Sequence, residues 1–196
     1  MRLWLAGFFL LLATGGVGAE EISSVYTEIN ADSDCTTFSI NEEGGDFANI
    51  ACNGYGGYPV LIYSADLRES IYYGFPKTGD LQPAWESFSA FNSAGPKIEW
   101  RIAKDGDRTI PFATIHRWRV SDPEDAERQI EVLVVEKVGQ ITGEEGCAVG
   151  LVLATGNPKA NETARKIADE QARDFSCGDE RVVVGDPMPS FDRQSN

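Results

Sequence analysis

The stretch "RQIEVLVVEKVGQITGEEGCAVGLVLATGNPKANETARKIADEQARDFSCG", residues 128–178, decides the fold. It opens with two runs, 128–138 and 147–154, that carry apolar side chains on both faces, joined by the polar, glycine-containing loop "GQITGEEG". Strands of this kind belong in the middle of a sheet that is covered on both sides. Behind them, residues 158–175 read as a helix. Pro158 suits its first turn, and Ala164, Ile167, Ala168, Gln171, Ala172 and Phe175 form one stripe of small and apolar side chains. Small alanines let a helix lie close against a sheet, and Cys177-Gly178 ends it. Strands followed by one late helix predict an α+β fold: a mostly antiparallel, twisted sheet with this C-terminal helix packed on it.

Working outward, "KIEWRIA" (97–103) alternates Ile98, Trp100 and Ile102 against Glu99 and Arg101. The turn "KDGD" (104–107) carries Asp-Gly, a strong hairpin signal, and "FATIHRWRV" (112–120) is the return strand. Further upstream, "YPVLIY" (58–63) and "LRESIYY" (67–73) read as strands. In the second, Leu67, Ile71 and Tyr73 share one face and Arg68, Ser70 and Tyr72 the other. "ANIAC" (48–52) is a short strand behind a turn at "NEEGGDF" (41–47), and residues 24–40 form an extended entry with a polar turn at 30–34. Residues 75–96 are broken by Pro76, Gly79, Pro83 and Pro96; inside them "AWESFSAF" (84–91) spaces Trp85, Phe88 and Phe91 three apart, as helical turns would. "RVVVG" (181–185) supplies a last strand, and 186–196 are expected as a flexible tail.

The first nineteen residues, "MRLWLAGFFLLLATGGVGA", read as a secretory signal peptide: Arg2, an apolar run from Leu3 to Ala13, and a small-residue cleavage site ending at Ala19. Residues 20–185 then make one domain, exported to the periplasm or secreted, with no membrane insertion once the signal is cleaved. The exported part keeps sixteen basic side chains against thirty-one acidic ones, a formal charge of −15. That balance argues against nucleic-acid binding; it either suits a cationic protein as partner or serves only to keep an exported protein soluble. An even number of cysteines in an oxidising compartment reads as disulfides. Of the three pairings open to Cys35, Cys52, Cys147 and Cys177, the one expected is Cys35–Cys52 with Cys147–Cys177, because each closes a local unit.

Little else in the chain carries chemistry. His116 is the single histidine and alternates in step with Phe112, Thr114, Trp118 and Val120, which suits a hydrogen-bonded core residue. With the cysteines oxidised, Cys-His catalysis and multi-histidine metal sites are largely excluded. No catalytic residue, metal site or cofactor is expected. The acids cluster at turns, as at Glu42-Glu43 and Glu144-Glu145, where carboxylates are normally solvated. "NGYGG" (53–57) lacks the helix and lysine of a phosphate-binding loop, so Gly54, Gly56 and Gly57 read as turn or bulge positions beside a disulfide. Tyr55 and Tyr58 on that pinned loop are candidate contact residues, with core packing as the competing reading. Arg101, Arg117 and Arg119 alternate outward beside Glu99; they read either as cross-strand ion pairs or as a small cationic spot for a carboxylate.

The set "GYGGYPV", "ADLRESIYYG", "FNSAGPKIEWR", "PFATIHRW" and "NPKANETARKIADEQARDFSCG" resembles a family of small, uncharacterised exported proteins of alphaproteobacteria, over nearly the whole exported chain. The resemblance implies a periplasmic location and no activity. A weaker likeness is to periplasmic lysozyme inhibitors, small disulfide-pinned β proteins whose loop motif runs from Ser-Gly to Tyr. Here "NGYGGY" keeps the Gly and Tyr and places Asn53 where the Ser stands. The expectation is a non-enzymatic binding or interaction module; a small carboxylate-dependent hydrolase of the envelope and a structural envelope factor are the alternatives.

Overall fold

The computed structural model describes residues 21–40, 47–77, 84–122, 124–125 and 127–194. The signal segment and nearly all of the turn expected at 41–47 lie outside them. In chain order the elements are β1 (Ile22–Glu28), α1 (Ala31–Asp34), β2 (Cys35–Ile40), β3 (Ala48–Asn53), β4 (Pro59–Ala65), β5 (Arg68–Tyr73), β6 (Trp85–Phe88), β7 (Asn92–Asp105), β8 (Arg108–Ser121), β9 (Gln129–Lys137), β10 (Cys147–Leu153), α2 (Ala160–Gln171), β11 (Val182–Val184) and β12 (Phe191–Gln194).

Among the described residues the strands form a six-stranded sheet, β1-β7-β8-β9-β10-β11, a four-stranded sheet, β2-β3-β4-β5, and a ribbon of β6 with β12. Every pairing is antiparallel except β10 with β11. The two apolar runs, β9 and β10, sit inside the larger sheet and are covered on both faces, as their sequences require. One face carries Ala113, Ile115, Leu133, Val135, Val149 and Val152 under the helix residues Ala160, Ala164, Ile167, Ala168 and Ala172. The other carries Ile98, Trp100, Trp118, Val132 and Val134, packed on Cys52, Val60, Ile71 and Tyr73 of the smaller sheet and on Phe88 and Phe191 of the ribbon. The result is a sheet-rich molecule in which the helix and the smaller sheet lie on opposite faces of the larger one.

Both expected disulfides are present: Cys35–Cys52 joins directly facing residues of β2 and β3, and Cys147–Cys177 ties the start of β10 to the segment after α2. Two such bridges belong to an oxidising compartment such as the periplasm or the extracellular space.

Four expectations are corrected. A single sheet was expected, whereas β2–β5 form a second one; Leu61, Tyr63 and Tyr72 are buried on its far face, so alternation alone did not reveal which face met the core. Leu67 is not a strand residue: Asp66 and Leu67 both take left-handed φ and make the two-residue turn between β4 and β5. Residues 84–91 are not helical, and 186–196 are not all free tail. Trp85–Phe88 pairs with Phe191–Gln194 about a hundred residues later, and no local spacing can announce a partner so distant. The Phe191 ring is buried edge-on against Phe88 at 4.8 Å, and the Arg181 guanidinium lies over it at 5.1 Å.

The ribbon yields a stability prediction. Phe191→Ala should destabilise the chain by about 3 kcal/mol or more, the usual cost of truncating a buried aromatic. Urea melts check it; a midpoint unchanged from wild type would restore the free tail.

Candidate functional site

The Gly-Tyr loop is a short 3₁₀ turn, Tyr55–Gly57, between β3 and β4. Gly56 and Gly57 take positive φ, as expected of turn glycines. Gly54 is required for a different reason: its φ is −104°, but a Cβ there would sit 2.4 Å from the Tyr58 carbonyl oxygen and 2.7 Å from the Trp100 ring. The loop therefore lies directly on the core tryptophan. Both tyrosines are half-buried, and both hydroxyls are tied down. Tyr55 meets the Thr109 hydroxyl at 3.1 Å, and Tyr58 donates to Gln140 Oε1 at 2.9 Å with its ring against Phe75. Neither is a core residue or a free contact: Tyr55 packs on Trp100, and Tyr58 stands as a rigid wall.

Tyr58 forms one wall of an open cleft of about 850 Å³. The β7–β8 turn, the loop after β9 and the end of α2 complete it. Phe112 lines it, with the Arg173 guanidinium stacked 4.1 Å over its ring. The Lys137 ammonium, also at the cleft, donates to the carbonyls of Arg173 and Phe175 at the helix end. Asp107, Glu144 and Asp174 are exposed at the rim, beside Arg108 and the strongly exposed Ile141.

The structure separates the three arginines. Arg101 is buried and committed: Nε and Nη2 donate to both oxygens of Asp169 on α2 at 2.7 Å, and Nη1 donates to the Ser24 hydroxyl. It is not an outward cation, because α2 lies on the face to which it points. Ser24 in turn donates to Glu99 at 2.5 Å, and Arg165 of α2 grips Glu99 at 2.6 and 3.1 Å. Burial pushes the Glu99 carboxyl up, but the bonds from Arg165 and Ser24 and the charges of Arg165 and Arg101 outweigh it and hold it below its ordinary value. Arg117 pairs at 2.9 Å with Glu131 of β9, not with the Glu99 beside which the sequence placed it, while Arg119 is exposed. Arg117 and Arg119 line a groove beside the start of α2, remote from the Tyr58 cleft.

His116 is a hydrogen-bonded core residue, as expected, and is fully rather than half buried. Its Nε2 lies 2.5 Å from the Gly95 carbonyl, which can only accept, so Nε2 carries the proton. Nδ1 then accepts from the Tyr73 hydroxyl at 2.5 Å. Burial lowers the His116 pKa to about 4, against a smaller opposing effect of the Gly95 bond. The ring is a structural link, closed to substrate.

The acid pair that sequence reading missed is Glu86 with Glu136. Both are buried: Glu86 accepts from the Ala148 amide and from Arg181, with Arg193 nearby. Burial, then the charge of Glu86, pushes the Glu136 carboxyl well above its ordinary value. Glu136 lies in the apolar strand "EVLVVEK", and only its even-numbered position, in step with Val132 and Val134, could have signalled an inward carboxyl. Among the described residues no group of acids, histidines and cysteines could hold a metal ion, and no helix is long and apolar enough to cross a membrane. Compared with protein-family models, with curated proteins and with solved structures, the chain matches none.

Glu136 makes a signed prediction. A carboxyl whose folded pKa is raised contributes fully below its unfolded value near 4.5 and loses that contribution as pH rises toward the folded pKa. Glu136→Gln should therefore gain on wild type by about 1.4 kcal/mol per pH unit across that window. Parallel denaturant melts from pH 4 upward check it; a constant difference would mean that Glu136 is ionised in the fold.

Proposed function

We propose that this chain is a non-enzymatic binding module of the periplasm or extracellular space, exported by a signal cleaved after Ala19, whose partner is a cationic protein met at the Tyr58 cleft. One observation carries the reading: Tyr58 is immobilised at the wall of an open cleft by Gln140 and Phe75, on a loop anchored by Cys35–Cys52. A tyrosine already fixed loses little side-chain entropy when a partner covers it. The cleft lining balances Asp107, Glu144 and Asp174 against Arg108, Lys137 and Arg173, so it is the charge of −15 on the exported chain that favours a cationic partner and speeds its encounter. Ile141, 77% exposed, supplies an apolar contact beside them.

The likeness of "NGYGGY" to the loop of lysozyme inhibitors makes lysozyme the first probe, with cytochrome c as a control of similar basicity. Titration calorimetry should give saturable binding of lysozyme, weakened by salt through slower association. Tyr58→Ala should weaken it by about 1–2 kcal/mol or more. Ile141→Ser should weaken it while leaving the melting temperature unchanged, since that side chain is exposed. Equal binding of both proteins would reduce the effect to net charge. Affinity that neither substitution alters would remove the cleft from the account.

A further inference from the structure

The pairing of β7 with β8 is interrupted where three residues, Gly95, Pro96 and Lys97, stand opposite Arg117 alone, between the pairs Ala94–Trp118 and Ile98–His116. Bulges of this kind re-aim side chains and recur beside functional sites. This one is held at two points: the Gly95 carbonyl accepts from His116, and the Pro96 carbonyl accepts from the Ile29 amide at 2.7 Å. It forms one lip of a groove of about 210 Å³ on the helix-bearing face of the large sheet. Ile115 and Leu133, each 3% exposed, belong to the apolar core beneath it, and the Tyr26 ring stands at one side.

Three cations surround this small apolar space: Lys97, Arg117 and Arg119. Arg117 shares its charge with Glu131, whereas among the described residues Lys97 and Arg119 have no carboxylate partner. Lys97 lies 5.2 Å over the Tyr26 ring instead. Among the described residues the carboxylate lining the groove is Glu99, already engaged by Arg165 and Ser24. On a chain with nearly twice as many acids as bases, two cations without a carboxylate partner thus line one apolar groove.

We propose that the bulge groove binds a small amphipathic carboxylate, with its apolar body over Ile115 and Leu133 and its carboxylate between Arg119 and Lys97. The volume is below the ~300–1,000 Å³ of sites for drug-sized ligands, which limits the occupant to a single ring or a short branched chain. The planar fork of an arginine matches a carboxylate in two parallel hydrogen bonds. This site is separate from the Tyr58 cleft, so either can fail without the other.

The test is titration of the ¹⁵N-labelled protein with phenylacetate, followed by amide shifts. The neutral isostere 2-phenylacetamide and plain acetate serve as controls for the charge and the apolar body. The expected result is saturable shifts at Ile115, Arg117 and Leu133 with phenylacetate, and affinities about tenfold or more weaker for both controls. Arg119→Gln, at an exposed position, should weaken phenylacetate about tenfold while leaving the spectrum outside the groove unchanged. The proposal is overturned by shifts that map elsewhere or do not saturate, by phenylacetamide binding as well as phenylacetate, or by an Arg119→Gln protein that binds as wild type.

Discussion

Tyr73, His116 and Gly95 form a hydrogen-bonded chain on which the arrangement of the sheets depends. Tyr73 belongs to the smaller sheet, His116 to the centre of the larger one, and Gly95 to the bulge in the neighbouring strand. Tyr73 and His116 are fully buried, so their polar atoms must be satisfied within this chain. A carbonyl at one end forces the proton onto Nε2, and the lone pair left on Nδ1 forces the tyrosine to donate. One neutral imidazole thus fixes the spacing of two sheets and the position of the bulge whose lip carries Lys97.

Charge is distributed to the same end. The acids that matter structurally are not the solvated turn acids but Glu99 and Glu86, each held by arginines from elements distant in sequence: Arg165 from α2, and Arg181 and Arg193 from the C-terminal segment. Removing one partner of such a half-buried pair leaves a carboxylate in a poorly solvating place, which costs more than forming the pair gains. These pairs therefore specify where α2 and the terminal ribbon dock. Hydrophobic burial under Ala164, Ile167 and Ala168 supplies the larger stabilisation there.

Much of this was legible in the sequence for physical reasons. Strands apolar on both faces must be covered twice, and β9 and β10 are. A stripe of alanines predicts a helix lying close, and Ala164 and Ala168 are fully buried against the sheet. The alternation of Ile98, Trp100 and Ile102 gave their face correctly. What was not legible depended on partners far along the chain. The β6–β12 ribbon joins residues about a hundred positions apart, and three evenly spaced aromatics mimic a helix when that partner is unseen. Arg101 pointed away from the core as alternation requires, but the face it reached was already occupied by Asp169 of α2. The site residues divided in the same way: Tyr58 and Arg119 border open space, whereas Arg101 and, in part, Tyr55 are consumed by the fold.

His116 is thus a neutral, Nε2-protonated link between the sheets. Long-range ¹H–¹⁵N correlation spectra of the imidazole, recorded from pH 8 down to 4.5, test it most directly. One protonated ring nitrogen, Nε2, is expected, with shifts constant until the pH approaches the pKa of about 4. A ring that titrates near 6.5, the ordinary value for histidine, or that carries its proton on Nδ1, would contradict it.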